Sequence, residues 1–179
     1  MLHIAGVNYE SMVDGVGTRA VIYISGCSHH CPGCQNPETW DASFGQPLTE
    51  ALVREIADGI RQRMGFLAGI TLTGGDPFFS PKETFMFLCD LLEELGWRYA
   101  PDNVPLWIYT GYTLEELVNS GREDQEWIDD LLENAQALVD GPYIASLADK
   151  TLLYRGSSNQ RVWTKDEIKM KMEEKHSHG

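Results

Sequence analysis

The spacing of hydrophobic positions changes several times along this chain, and each change marks an element. Ala20-Val21-Ile22-Tyr23-Ile24 is an unbroken apolar run of strand length. From Thr49 to Met64 the apolar residues fall at Leu52, Val53, Ile56, Ile60 and Met64, the spacing of one helix face. Ile70-Thr71-Leu72-Thr73 reads as a short strand ending in Gly74-Gly75. Ser80-Pro81-Lys82-Glu83 then carries helix-start signals: Ser as N-cap, Pro in the first turn and Glu to close a capping box. That helix is expected to stop near Gly96. A third strand follows over Val104 to Tyr109. Thr113-Leu114-Glu115-Glu116 opens a helix with a second capping box, and another helix runs from about Asp124 to Asn134. Ala137-Leu138-Val139-Asp140 is a fourth strand, closed by Gly141-Pro142. Beyond Asp140 the pattern loosens, with one more helix start at Thr164-Lys165-Asp166-Glu167.

Repeated strand-then-helix units predict an α/β fold whose parallel sheet is joined by crossover helices. A full eight-unit barrel takes about 250 residues, more than the 179 here. The expected architecture is therefore a partial, open (β/α) barrel. Residues 1–179 form one domain, with 170–179 as a frayed tail. In such sheets ligands bind at the carboxyl ends of the strands. Those ends carry Cys27 onward, Gly74 onward, Thr110-Gly111 and Asp140-Gly141.

Composition narrows the function. Apolar residues make up 42 % of the chain and aromatics 10 %, ordinary for a folded globular protein. A net charge of −13 speaks against binding nucleic acid, which needs clustered Lys and Arg. Acidic residues concentrate in Glu115 to Glu133 and Asp166 to Glu174, read as solvated helix faces. No apolar run approaches membrane-spanning length. The start, Met1-Leu2-His3-Ile4-Ala5-Gly6, lacks the basic segment and apolar core of a signal peptide. A cytoplasmic location, where free thiols persist, is expected.

Three of the four cysteines stand in one run, Cys27-Ser28-His29-His30-Cys31-Pro32-Gly33-Cys34. Three thiolates on one strand-exit loop suit a metal centre with an open position. A closed structural zinc site wants four protein ligands, whereas an iron–sulfur cluster with one unligated iron can bind a further molecule there. The loop by itself leaves two other readings open. Zinc could be held by the three thiols with His29, His30 or Cys89, and disulfides are the third option, though these belong mainly to short secreted chains. Cys89 falls among Phe85, Leu88, Leu92 and Leu95 and reads as a buried core thiol. His29 and His30 read as exposed loop residues, and Trp40, Trp107 and Trp163 as core.

The Cys-x3-Cys-x2-Cys loop, followed one strand–helix unit later by Thr73-Gly74-Gly75-Asp76-Pro77, resembles the radical S-adenosylmethionine superfamily. Successive glycines let backbone approach a ligand closely. Asp76 departs from the superfamily's usual Glu by one methylene. Five segments are similar to a narrower group, the activating proteins of anaerobic ribonucleoside-triphosphate reductase. They are Asp14 to Arg19, Cys27 to Trp40, Tyr109 to Tyr112, Val139 to Pro142 and Arg155-Gly156-Ser157-Ser158-Asn159-Gln160-Arg161. The last is the most particular to that group. Val16 departs from its usual Pro, whereas Gly33, where many superfamily members carry an aromatic residue, is in keeping with it.

The resemblance implies an oxidoreductase with one [4Fe–4S] cluster on Cys27, Cys31 and Cys34. Its S-adenosylmethionine would lie against Gly33, Cys34 and Gln35, its methionine end held by Gly74, Gly75 and Asp76. Thr110 and Asp140 stand where related activases place cofactor- or cation-binding groups; for Asp140 a plain turn residue is the equal alternative. Reductive cleavage of the cofactor would give a deoxyadenosyl radical that takes a hydrogen from a glycine of the reductase's large subunit. A low-potential donor such as flavodoxin would supply the electron. Rival readings are an activase of another glycyl radical enzyme such as pyruvate formate-lyase, a compact radical enzyme acting on a metabolite, and a zinc-stabilised binding module. Two residue-level expectations follow. Gly75→Val should spare the iron and weaken the cofactor. The Arg155 to Arg161 segment, with Ser157, Asn159 and Arg161, should help shape the partner-facing side of the site, a structural turn that closes the sheet edge being the alternative.

Overall fold

The computed structural model describes residues 1–97 and 105–177. Its centre is a run of four parallel strands, β2 (Arg19–Ile24), β4 (Gly69–Gly74), β5 (Leu106–Tyr109) and β6 (Ala137–Asp140). Strand register sorts the side chains into two faces, because successive residues point to opposite sides. Ile22, Leu72, Ile108 and Leu138 align across the four strands and are fully buried. They pack in one hydrophobic cluster with the apolar faces of all five helices: α1 (Glu50–Arg61), α2 (Pro81–Glu94), α3 (Leu114–Val118), α4 (Gln125–Asn134) and α5 (Lys165–Ser177). The neighbouring row, Val21, Thr71, Trp107 and Ala137, faces the other way. That second face also carries Tyr23, Thr73 and Tyr109, and these three line a cavity rather than a core.

Both edges of the sheet are antiparallel. β1 (His3–Ser11) pairs with β2 and with the short β3 (Gln46–Pro47), and β7 (Arg161–Thr164) pairs with β6. The order β3-β1-β2-β4-β5-β6-β7 leaves the sheet open among the described residues. The repeating pattern in the sequence predicts only the parallel strands. β1 escapes it because Gly6 and Asn8 interrupt its apolar alternation, and its pairing with β2 slips register at both places. β7 is a four-residue stretch with alternating partial exposure, too short to carry a period.

Arg19, at the start of β2, is 1 % exposed, and its guanidinium is satisfied by uncharged groups. Its Nε donates to Thr71 Oγ1 at 2.8 Å, and its other nitrogens donate to the carbonyls of Val16, Ile70 and Pro105. Burial lowers its pKa to about 10, so it stays charged at neutral pH. These bonds tie the β1–β2 turn to β4 and to the entry of β5.

Local signals match in most places. Thr113 and Glu116 form the expected capping box, with Glu116 Oε2 accepting from Thr113 N at 2.7 Å. Gly96, at φ +73°, ends the α2 segment in the left-handed region. Four expectations need correction. Ser80 makes no side-chain cap bond, so Pro81 alone marks the start of α2. α5 continues as helix to Ser177 instead of fraying from 170; 178–179 lie outside the described residues. The expected third strand begins at Leu106, and Val104 is not among the described residues. Cys89 is exposed. The buried face of α2 is Thr84, Phe87, Leu88, Leu91 and Leu95. At 3.6 residues per turn, Cys89 lies roughly 140° from the centre of that face.

Candidate metal centre and cofactor cavity

β2 ends at Ile24, and the chain then needs a sharp exit. Gly26 provides it at φ +107°, where a Cβ would lie 2.4 Å from the Phe79 ring. Cys27 follows directly. The base of the loop is braced by Gly26 N donating to Thr39 O at 2.8 Å and Cys27 N to Trp40 O at 3.4 Å, both on the 3-10 turn Pro37–Trp40. Cys31-Pro32-Gly33-Cys34 is a tight turn, with Cys34 N donating to Cys31 O at 3.0 Å. Pro at its second position and Gly33 at φ +78° in its third are the residues a type II turn requires. Gly33 is therefore glycine for its backbone angle. A Cβ there would meet nothing closer than 3.4 Å, and Gly33 is not among the residues lining the cavity.

Cys27, Cys31 and Cys34 all line one cavity of about 590 Å³, and none of the three is in a disulfide. Gln35, Gly74, Gly75 and Thr110 line it too, so most of the residues singled out from the sequence come together. The cavity runs along the second face of the sheet, past Tyr23 and Tyr109, to Asp14 in the β1–β2 turn and to the stretch from Lys150 to Arg155. Burial pushes the Cys27 thiol up, partly offset by hydrogen bonds from the backbone amides of His29 and His30. Those amides are positioned to favour a thiolate, the form that ligates metal.

The glycine pair lines the cavity and is also required by packing. A Cβ on Gly74 would sit 2.5 Å from Ile24 N, and one on Gly75 only 2.4 Å from Gly26 O and 2.8 Å from Thr39 O. Both glycines let the end of β4 lie against the cysteine loop, and Gly75 N donates to Ile24 O at 2.7 Å. Asp76 is 1 % exposed and does not line the cavity. Its carboxylate accepts from Phe78 N, Thr110 Oγ1 and Gly111 N at 2.9 to 3.0 Å, and its Oδ2 lies 2.9 Å from His29 Nε2. Thr110 is thus held by Asp76 while one side of it borders the cavity.

Asp140 is fully buried and turned away from the cavity. It accepts from Leu114 N at 2.7 Å and from Arg161 Nε and an Arg161 terminal nitrogen at 3.0 and 2.6 Å. Arg161 also pairs with Glu115 at 2.6 Å, which holds the Glu115 carboxyl below its usual range, and it lies over the Trp163 ring. The Arg155 to Arg161 segment braces itself. Gln160 Oε1 accepts from Gly156 N, Gln160 Nε2 donates to Gly141 O, Asn159 Nδ2 donates to Pro142 O, and Ser157 is fully buried. Ser157 and Asn159 bond to Ile144 N and Pro142 O respectively, Arg161 pairs with Asp140 and Glu115 from a part-exposed position, and Arg155, Gly156 and Gln160 line the cavity.

His29 was expected in solvent. Its side chain is only 18 % exposed, and the bond with Asp76 raises its pKa against the opposing effect of burial. His30 is exposed as expected, with its ring 4.8 Å from that of Trp40. Tyr109 was not singled out as a site residue, and Trp40, read as core, is half-buried and lines the cavity. Tyr109 Oη and Trp40 Nε1 are buried, line the cavity through their residues, and find no hydrogen-bond partner among the described residues. Buried donors of this kind need a partner, and a polar group bound in the cavity would supply one. With three thiols, orphaned donors and a glycine-lined wall, the residues fit an iron–sulfur cluster with a polar cofactor beside it. Two signals pointed to Tyr109: it opens the Tyr109 to Tyr112 segment of the resemblance, and alternation along β5 puts it on a face with Trp107.

A family model described as a 4Fe–4S single cluster domain matches residues 13–163. Among known proteins, the chain is 36 % identical over 151 residues to the anaerobic ribonucleoside-triphosphate reductase-activating protein of Escherichia coli (strain K12), covering 84 % of this chain and 91 % of the relative. The protein of the same name from Vibrio cholerae is 35 % identical over 151 residues, or 84 % and 90 % of the two chains. That of Enterobacteria phage T4 is 32 % identical over 163 residues, or 88 % and 94 %. No helix among the described residues is long and apolar enough to cross a membrane. Matched over most of its length by both the domain and these relatives, the chain belongs to the family of anaerobic ribonucleoside-triphosphate reductase-activating proteins.

Proposed function

We propose that Cys27, Cys31 and Cys34 hold a [4Fe–4S] cluster, that S-adenosylmethionine binds beside it, and that the chain installs a glycyl radical on the large subunit of anaerobic ribonucleoside-triphosphate reductase. One observation carries the reading: the three thiols line the same cavity as Gly74, Gly75 and Thr110, at the carboxyl ends of adjacent parallel strands. When bound, the cluster supplies one electron and the cofactor a carbon-centred oxidant able to take a hydrogen atom from a glycine.

This chain's own residues do the holding. Gly74 and Gly75 bring bare backbone to the cavity wall, where a cofactor's amino and carboxylate groups could bond to it. Gln35 lies beside Cys34, and Tyr109 Oη and Trp40 Nε1 offer unspent donors. Asp76 keeps Thr110 and Gly111 in place from behind. Asp140 acts at one remove, fixing Arg161 and the amino end of α3. The open sheet is read as a partial barrel, whose unclosed side leaves room for a polypeptide loop. A low-potential protein such as flavodoxin would deliver the electron.

Zinc is the competing occupant. Among the described residues no three His, Cys, Asp or Glu side chains are gathered closely enough to hold a single ion. A cluster takes each thiolate on a different iron, so it suits thiols arranged around a cavity. Anaerobic reconstitution with iron and sulfide separates the two. The expected product is a brown protein that releases methionine from S-adenosylmethionine under dithionite. A colourless protein holding one zinc per chain would overturn the cluster reading.

A further inference from the structure

Three contacts reach His29 from outside its own loop. Its Nε2 lies 2.9 Å from Asp76 Oδ2. Its ring meets the Tyr112 ring edge-on, with centroids 4.4 Å apart. A Cβ on Gly111 would sit 2.6 Å from the ring's Cδ2, so the imidazole occupies the space that glycine leaves. Asp76 is itself fixed by Phe78 N, Thr110 Oγ1 and Gly111 N. The ring therefore bears on two strand ends at once, on β4 through Asp76 and on β5 through Gly111 and Tyr112.

Other contacts of the loop leave its tip less constrained. The bonds of Gly26 N and Cys27 N hold only its base, and they run to the 3-10 turn at Pro37–Trp40. His30 packs on Trp40 of that same turn. Ser28 Oγ reaches Tyr112 Oη at 3.4 Å from an exposed position. We propose that His29 is a positioning residue: it fastens the cysteine loop to the ends of β4 and β5, so that the thiols and the Gly74-Gly75 backbone keep one arrangement. Its role toward a cluster rests on the ligand assignment above; its role in the metal-free loop does not.

The test compares H29A, H29N and H29Q, with G111A alone and combined with H29A. In the metal-free chain, H29A is expected to speed amide exchange about tenfold at residues 26–35 and 110–112, the scale of one lost charge-assisted hydrogen bond. Exchange in α1 and α2 should not change. Glutamine puts its amide nitrogen near the place of Nε2 and should restore protection; asparagine is one bond shorter and should not. G111A should displace the ring and imitate H29A, yet add nothing in the H29A background. In reconstituted protein, cluster absorbance should be lost to a chelator about tenfold faster in H29A and H29N than in H29Q or the parent. Unchanged loop exchange in H29A would overturn the proposal. So would failure of H29Q to restore protection, or a rise spread evenly over the whole sheet. Because exchange is read without metal, a failed cluster assignment and a failed role for His29 give different results.

Discussion

Alanine at Cys27, Cys31 or Cys34 is expected to leave a folded chain that takes up no [4Fe–4S] cluster and cleaves no S-adenosylmethionine. Each thiolate would hold a separate iron, so no remaining ligand makes good the loss of one. The three line one cavity, and the bonds that hold the base of their loop run between backbone groups, with the amides of His29 and His30 turned to the Cys27 thiol. Far-ultraviolet dichroism should therefore match the parent, while iron and sulfide content and visible absorbance fall to background. Cys89→Ala is the control. Cys89 is on the exposed side of α2, so this variant should keep both the cluster and the parent's stability. Iron lost with Cys89→Ala and kept with one of the loop variants would show the ligands to be misassigned.

Gly75→Val is expected to damage both the cysteine loop and the cofactor site. A Cβ at this position meets two backbone carbonyl oxygens, Gly26 O at 2.4 Å and Thr39 O at 2.8 Å. Neither can swing aside as a side chain would. Gly26 directly precedes the first cysteine, so relief of the clash must shift the loop that carries the thiols. Overpacking of this kind costs about 2–3 kcal/mol, which for a chain of this size lowers the melting temperature by about 5–10 °C. Cluster content should fall along with S-adenosylmethionine affinity. Gly6→Val serves as control, since a Cβ there has nothing within 4 Å. Normal iron in a Gly75→Val protein of unchanged melting temperature, with only cofactor binding weakened, would restore the simpler picture in which this glycine serves the ligand alone.

Those two variants mark what was legible in the sequence. The cysteine spacing is a local pattern, and the strand before it is an apolar run, so the loop and its place at a strand end could be read directly. The helices were legible for the same reason. Leu52, Val53, Ile56 and Ile60 repeat at helical spacing and are buried as that spacing demands. Gly74-Gly75 could be seen as a site where backbone comes close to something. What it approaches is the cysteine loop, about 50 residues away in the chain, and no local pattern carries that.

Distant pairings account for most of the rest. His29 looked like a surface imidazole because its partner, Asp76, stands 47 residues on. Asp140 looked like a possible cofactor group or a turn residue, and its carboxylate is spent on Arg161 and Leu114 N. The Arg155 to Arg161 run was open to two readings, a partner-facing surface or a turn closing the sheet edge. Several of its polar groups bond one another and Gly141-Pro142, and Arg161 reaches Asp140 and Glu115, contacts that no local pattern carries. Cys89 was misread for a different reason. Leucines at 88, 92 and 95 suggested a wide apolar stripe, but the buried arc of α2 is centred on Leu88, Leu91 and Leu95 and stops short of it.

The central claim is that this chain makes a radical on a partner protein. Its most direct test is the electron paramagnetic resonance spectrum of anaerobic ribonucleoside-triphosphate reductase after anaerobic incubation with the reconstituted chain, S-adenosylmethionine and a reductant. The account predicts a glycyl radical signal on the reductase that requires both the chain and the cofactor and is absent with Cys34→Ala. A chain that carries its full cluster and cleaves S-adenosylmethionine, yet leaves the reductase without that signal, would contradict it.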